Sequence, residues 1–530
     1  MALPFFPERR MRHVLVASLL LALSPFAAAQ SPCFTGLVFD DANGDGRRGQ
    51  GEAGIEGVLV SDGRQIVRTD AQGRYQLAAS DAAVVSIIKP AGWQPGQRAD
   101  GLPDTWRHRD DPAALQGPGQ PAMPRPVQCR GFALQRQTLA PATLTSLLFA
   151  DSQTTDMTEV GYYARDIIEP LIGTHRAHLG MTLGDITNDD MGLYPALTAQ
   201  TTRLGVPWLH IPGNHDMDMD ASSDADALTS FQRALGPDTF AWEEPQAVFI
   251  GLDDIIAQPG QRPAYIGGLR EDQFDFLTQY LATLDDSRLV VVGMHMPLFD
   301  ANFRVADRQK LFDLLARFPK RLVLSGHTHT QQHRHYGPAD GWQGVGALHE
   351  YNVGAACGSY WSGVADATGI PVATMADGTP NGYGLLQVDG QGGYTLEYRA
   401  ARAPAQAQMH LHAPRVLRQG AYPAWGLYAN VWMGQADTVV EFRVDGGAWQ
   451  PMTRIDKPDP ALLAENAIDD LAPGLRGFDR SPEAEPSTHL WRAPVPTKLE
   501  AGEHRVDVRA QLPAGEYMVS TTYRLEPASR

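Results

Sequence analysis

Trp208-Leu209-His210-Ile211-Pro212-Gly213-Asn214-His215-Asp216 is the stretch on which the fold turns. An apolar run reads as a buried strand and a Pro-Gly break ends it. An amide, an imidazole and a carboxylate follow at once. The same order recurs along the chain. Leu147-Leu148-Phe149-Ala150 leads into Asp151-Ser152-Gln153, and Gly180-Met181-Thr182-Leu183 into Gly184-Asp185. Val290-Val291-Val292-Gly293-Met294 leads into His295, and Leu322-Val323-Leu324-Ser325 into Gly326-His327-Thr328-His329. Side chains at the ends of neighbouring strands converge on one rim of a sheet, where α/β enzymes place their sites. Carboxylate, amide and imidazole groups in this number suit two adjacent metal ions, a clamp for displacement at phosphorus.

Working outward, amphipathic helical patterns at 159–171, 191–204, 271–284 and 307–316 each precede a strand. Residues 140–402 therefore read as an α/β layered domain, with sheets sandwiched by helices. Within it, 346–384 is rich in Gly, Tyr and Trp and lacks periodicity, so it is expected to be a long functional loop. Residues 33–136 carry short strands between Gly and Asp turns and read as a β sandwich; 91–127 form an extended loop and linker. Residues 405–530 show β patterning again, and a second sandwich is expected.

The chain has 530 residues, too many for one core. It is 43% hydrophobic and 20% charged, as soluble globular proteins are. Its formal net charge of -17 disfavours a nucleic-acid partner. Arg9, Arg10 and Arg12, an apolar run from Val14 to Leu23, and Ala27-Ala28-Ala29 predict a signal peptide over 1–29, removed after Ala29. A periplasmic or secreted protein is expected, with no membrane span after cleavage. In that oxidising setting Cys33 and Cys129, which bracket the first domain, are expected to be bridged, leaving Cys357 a buried free thiol.

The first domain also holds Asp41-Ala42-Asn43-Gly44-Asp45-Gly46-Arg47, closing at Glu52. Oxygens at positions 1, 3 and 5, Gly at 6, a backbone carbonyl at 7 (Arg47) and Glu at 12 follow the calcium loop. The flanks are strands, so this is no EF-hand. The expectation is one structural calcium ion on Asp41, Asn43, Asp45, Arg47 and Glu52.

The five motifs, in this order, resemble those of the calcineurin-like metallophosphoesterases. The three-part layout resembles exported bacterial members with N- and C-terminal β domains, and the first domain resembles prealbumin-like β sandwiches through Thr69-Asp70-x-x-Gly73-x-Tyr75. The resemblance implies a first metal on Asp151, Gln153, Asp185 and His329. It implies a second on Asp185, Asn214, His295 and His327, with Asp185 bridging. The ions would be Mn, Fe or Zn. Two departures stand out: Gln153 occupies a position often held by His, and Asn188 one where the phosphatase branch has an Asp. By the resemblance His215 is the acid, and Asn188 accepts a hydrogen bond from it.

The expected activity is hydrolysis of small or lipid-headgroup phosphate esters. Tyr360, Trp361, Asn381 and Tyr383 are expected to contact the organic group, with His349 and Glu350 opening that loop and His333 and His335 on the surface. No Arg or Lys cluster lies near the motifs, which favours a diester. The competing reading is a non-catalytic, calcium-dependent binding or surface-attachment protein.

Overall fold

The structure, a computed structural model, describes residues 34–78, 80–108, 131–138, 141–422 and 425–527. The leader at 1–29 and the expected Cys33–Cys129 bridge lie outside them.

The N-terminal domain is two four-stranded sheets. One orders Arg74–Gln76, Thr35–Asp40, Phe132–Arg136 and Trp93–Pro95. The other orders Ile66–Arg68, Leu59–Ser61, Val84–Ile87 and Trp106–His108. Val38, Val60, Tyr75, Val85, Phe132 and Leu134 belong to the core that joins them.

Two sheets make the central domain. The five-stranded sheet runs Trp208–Ile211, Leu179–Leu183, Leu144–Phe149, Gly382–Val388 and Tyr394–Ala400. The six-stranded sheet runs Thr239–Glu243, Ala247–Leu252, Leu289–Gly293, Arg321–Ser325, Leu348–Asn352 and Gln332–Tyr336. The first three strands of the former are mutually parallel, as are the middle four of the latter. Leu179–Leu183, Trp208–Ile211, Leu289–Gly293 and Arg321–Ser325 are buried at every position because both faces are covered, and they are mostly apolar. The sheets face each other closely: a Cβ at Gly293 would lie 2.6 Å from Ile211 on the other sheet. Strands that run the same way end on the same rim, and all five motifs gather there.

The four expected helices are present, though three are shorter. Met157–Tyr163 starts at Asp156, whose side chain accepts from the Thr158 and Glu159 amides. It continues as a wider turn over Ala164–Ile168 and a tight one over Glu169–Leu171. Tyr194–Thr201 is flanked by tight turns, and Glu271–Leu281 and Val305–Leu315 complete the set.

Two expectations are corrected. The 346–384 segment is not wholly irregular: Leu348–Asn352 joins the six-stranded sheet, parallel to Arg321–Ser325. Its alternation was masked by His349, Glu350 and Asn352, polar groups that hydrogen-bond inside the fold. The C-terminal domain has the expected two sheets, of four and five strands, and also a helix, Pro460–Leu471. Asp459 caps it by accepting from the Ala461 and Leu462 amides. Only Leu462 of this helix is buried; its other apolar side chains, Leu463, Ile468 and Leu471, are exposed.

Candidate metal centre

Asp151, Asp185, His215, His295, His327 and His329 all leave the ends of parallel strands within a few residues. The turns are tight. Asp151, Gln153, Asp185, His327 and His329 have φ of 51°, 40°, 50°, 73° and 51°. Non-glycine residues rarely adopt that left-handed region, and such strain collects at functional sites. Neighbouring glycines make room. A Cβ at Gly213 would lie 2.2 Å from Asp185 Oδ1, and one at Gly184 2.4 Å from His295 Nδ1.

Two donor groups result, Asp185 with His295 and His327, and Asp151 with Asp185 and His329, each with ligand atoms within 4.8 Å of one another. Asp185 belongs to both. Asn214 joins the first: its Oδ1 lies 3.1 Å from His295 Nε2. Gln153 joins the second, its Nε2 3.4 Å from Asp185 Oδ2. Its Oε1 accepts from the buried Cys357 thiol at 3.8 Å. Ligation by the amide oxygen would require that side-chain amide turned over.

Lone pairs decide what the site can hold. His295 Nδ1 lies 2.8 Å from the Leu183 carbonyl, so the proton of a neutral ring sits there. The lone pair on Nε2 then faces Asn214 Oδ1, Asp185 Oδ2 at 3.3 Å and His327 Nδ1 at 3.2 Å. These atoms converge on one point, and a proton on one of the rings or a metal cation between them reconciles the arrangement. His329 repeats it, with Nδ1 on the Ser359 carbonyl at 2.6 Å and Nε2 3.4 Å from Asp151 Oδ1. Burial opposes charge on His295, yet Asp185 and Asp151 outweigh it and push the ring up to about 10. Burial opposes charge on His329 too, yet the neighbouring Asp151 carboxylate holds its ring well above the usual range. His327 goes down to about 4, through burial and then the neighbouring His295. A proton is the small cation these rings accept in place of a metal, and the donor set fits two divalent ions.

Buried carboxylates hold the loops beneath. Asp216 accepts from the Gly213 amide at 2.9 Å and from Tyr194 Oη at 3.0 Å. Asp254 accepts from the His295 amide at 2.9 Å. Burial raises them to about 7 and about 8.

His215 sits at the rim, its amide donating to Asp185 Oδ1 at 2.9 Å. The expected partner of its ring is corrected. Nδ1 lies 2.9 Å from Asp189 Oδ1, not on Asn188, because a φ of 69° turns residue 189 back towards the site. Asn188 contributes its amide to the Thr154 carbonyl at 3.0 Å.

The expected substrate contacts divide. Tyr360 is exposed, and its ring lies 5.5 Å from that of His329. Trp361 is 1% exposed and donates to the Ser152 carbonyl at 2.9 Å, so it holds the first metal loop from below. Asn381 and Tyr383 do not reach the site. Asn381 is buried on Asp166 and the Ala356 carbonyl, and Tyr383 packs on Phe149, because the first precedes and the second lies in the Gly382–Val388 strand, inside the five-stranded sheet. Glu350 is also buried, holding Ser325 Oγ and the Leu298 amide. His335 is exposed as expected; His333 is instead stacked on Tyr351, ring centres 4.7 Å apart. The sequence reading missed Tyr265, whose ring stands edge-on to His327 at 6.3 Å. It lies on a short hairpin strand with no motif to mark it.

In the first domain the 41–52 turn winds around its own oxygens. Asp41 Oδ2 accepts from the Gly46 amide at 3.0 Å, and Asp45 Oδ1 from the Arg47 amide at 2.8 Å. Asn43 Oδ1 accepts from the Asp45 amide at 2.9 Å, and Glu52 Oε1 from the Asn43 amide at 3.4 Å.

Three family models match the chain. They are the N terminal of calcineurin-like phosphoesterase over 42–116, calcineurin-like phosphoesterase over 159–331, and the C terminal of calcineurin-like phosphoesterase over 350–517. The chain belongs to the calcineurin-like phosphoesterases. It is therefore a phosphoester hydrolase, and the middle match takes in Asp185, Asn214, His215, His295, His327 and His329. Among solved structures it is similar to purple acid phosphatase PPD1 from yellow lupin (Lupinus luteus) seeds, at 12% identity over 65% of this chain and 67% of that one, TM-score 0.36. It is also similar to a β-glycosidase from Bacteroides vulgatus, at 9% identity over 88% and 74%, TM-score 0.19. Likenesses this low carry no argument. No curated protein matches by sequence.

Proposed function

We propose that this phosphoesterase hydrolyses small or lipid-headgroup phosphate esters outside the cytoplasm, using two divalent ions of Mn, Fe or Zn. The observation that carries the reading is the position of Asp185, shared by two groups of donors whose lone pairs face each other. The first ion would rest on Asp151, Gln153, Asp185 and His329, the second on Asp185, Asn214, His295 and His327. When bound, such a pair supplies a water of lowered pKa and positive charge for the phosphoryl oxygens. The side chains do the rest. Asp189 holds the His215 ring through Nδ1, which leaves Nε2 to carry a proton to the departing alcohol oxygen. Phosphorus gains the water oxygen and loses the alcohol oxygen, which takes that proton.

Export is supported by the Arg-rich start, the short apolar run and Ala27-Ala28-Ala29. Among the described residues no helix is long and apolar enough to cross a membrane. A structural calcium ion in the 41–52 turn is supported by Glu52 folding back over Asn43, which draws positions 1, 3, 5 and 12 of the loop together.

The test is a panel of phosphate mono- and diesters offered to purified protein with each metal in turn. Hydrolysis that needs added Mn, Fe or Zn supports the reading. A panel untouched under every metal contradicts it.

A further inference from the structure

A cavity of about 420 Å³ opens beside Gln153, at the edge of the first donor group. It lies between two domains. The catalytic domain contributes Glu159, Tyr360 and Trp361, and the C-terminal domain contributes Phe478, Asp479 and Arg480. The 478–482 segment is fastened in place. The Gly363 amide donates to the Asp479 carbonyl at 3.2 Å, and the Ser481 amide to Asp469 Oδ2 at 3.0 Å.

The charges in this cavity are uneven. Arg480 is ion-paired with Asp470, so its charge is already matched. Glu159 and Asp479 have no cationic partner among the described residues. Glu159 is 7% exposed, and burial pushes its carboxyl above the ordinary value despite a 2.6 Å hydrogen bond from the Thr155 amide. A buried carboxylate held this way gains from a cation placed beside it. Two aromatic rings border the same space and are open to solvent, Tyr360 at 54% and Phe478 at 73%. Exposed aromatic faces beside unmatched carboxylates are the combination that binds ammonium groups.

We propose that this cavity is the subsite for the organic group of the ester, and that it takes an alcohol bearing an ammonium group. The proposal rests on the phosphoesterase reading for its place beside the metals. It assigns the C-terminal domain a direct part in specificity. An anionic organic group would meet Glu159 and Asp479, and an uncharged one would leave them unmatched.

The test measures binding of choline, without phosphate, to the full-length protein, by calorimetry or saturation-transfer NMR, with glycerol as the uncharged control. Choline is expected to bind more tightly than glycerol. Phe478→Ala should weaken choline about fivefold, in keeping with one lost cation–π contact, and Asp479→Asn should also weaken it. Both substitutions are at exposed positions, so folding is not at stake. Choline that binds no better than glycerol, or binds equally well to both variants, overturns the proposal. Binding is read without turnover, so a failure of ester hydrolysis sinks the phosphoesterase reading alone, and a failure of choline binding sinks the subsite alone.

Discussion

His215 and Asp189 form a hydrogen-bonded pair across the rim of the metal centre, Nδ1 to Oδ1 at 2.9 Å. The carboxylate fixes the tautomer and the orientation of the ring and leaves Nε2 free to face the leaving group. Asp189→Asn is therefore expected to lower kcat about ten- to a hundredfold. It should leave metal content unchanged. Asn188→Ala should do little, since that side chain does not hold the ring. Equal losses from the two variants, or metal lost from Asp189→Asn, would count against this assignment.

Asp185 has one oxygen on the His215 amide and the other facing His295 and Gln153. Asp185→Asn should strip metal from both sites and abolish most turnover. Asn214→Ala should deplete the second site alone, and His215→Ala should keep both metals. Elemental analysis of the three purified variants decides this. Full metal content in Asp185→Asn is the result that would refute the bridge.

Calcium is expected to stabilise the first domain without touching catalysis. At a hundredfold excess over its dissociation constant a single ion contributes about 2.7 kcal/mol. The melting transition of the full chain should rise with calcium, and Glu52→Gln should blunt the rise. A melting curve indifferent to both chelator and calcium would remove the ion from the account.

Acid should destabilise the protein through buried histidines. Burial drives His210 down to about 3, and burial with His335 drives His349 to about 3. The unfolded rings titrate near about 6.5. Between those values the unfolded chain binds more protons than the folded one, so stability is full above the unfolded pKa and falls as pH drops. Each ring adds a slope of up to about 1.4 kcal/mol per pH unit in that window. His349→Gln and His210→Leu should each flatten the acid limb of a plot of Tm against pH. An unchanged slope would show that neither ring is held neutral.

The metal centre was legible in the sequence because each ligand follows within a few residues of a mostly apolar parallel strand, and such strands share one rim. Groups placed by tertiary contact alone were not. Asp189 differs from Asn188 by one position and by the sign of φ, which no spacing reveals. Tyr265 comes from a hairpin without a motif. Phe478 and Asp479 border the cavity beside Gln153 only because the C-terminal domain folds back against the catalytic one. Asn381 and Tyr383 misled for the opposite reason: polar and aromatic residues in a glycine-rich segment look like a pocket, and here they secure a sheet.

The most direct test of the central claim is a titration of metal-free protein with Mn, Fe or Zn, following ester hydrolysis as equivalents are added. A dinuclear centre on Asp151, Gln153, Asp185, Asn214, His295, His327 and His329 predicts that activity rises and breaks at two equivalents per chain. Hydrolysis that is complete in metal-free protein, or that saturates at one equivalent, would contradict it.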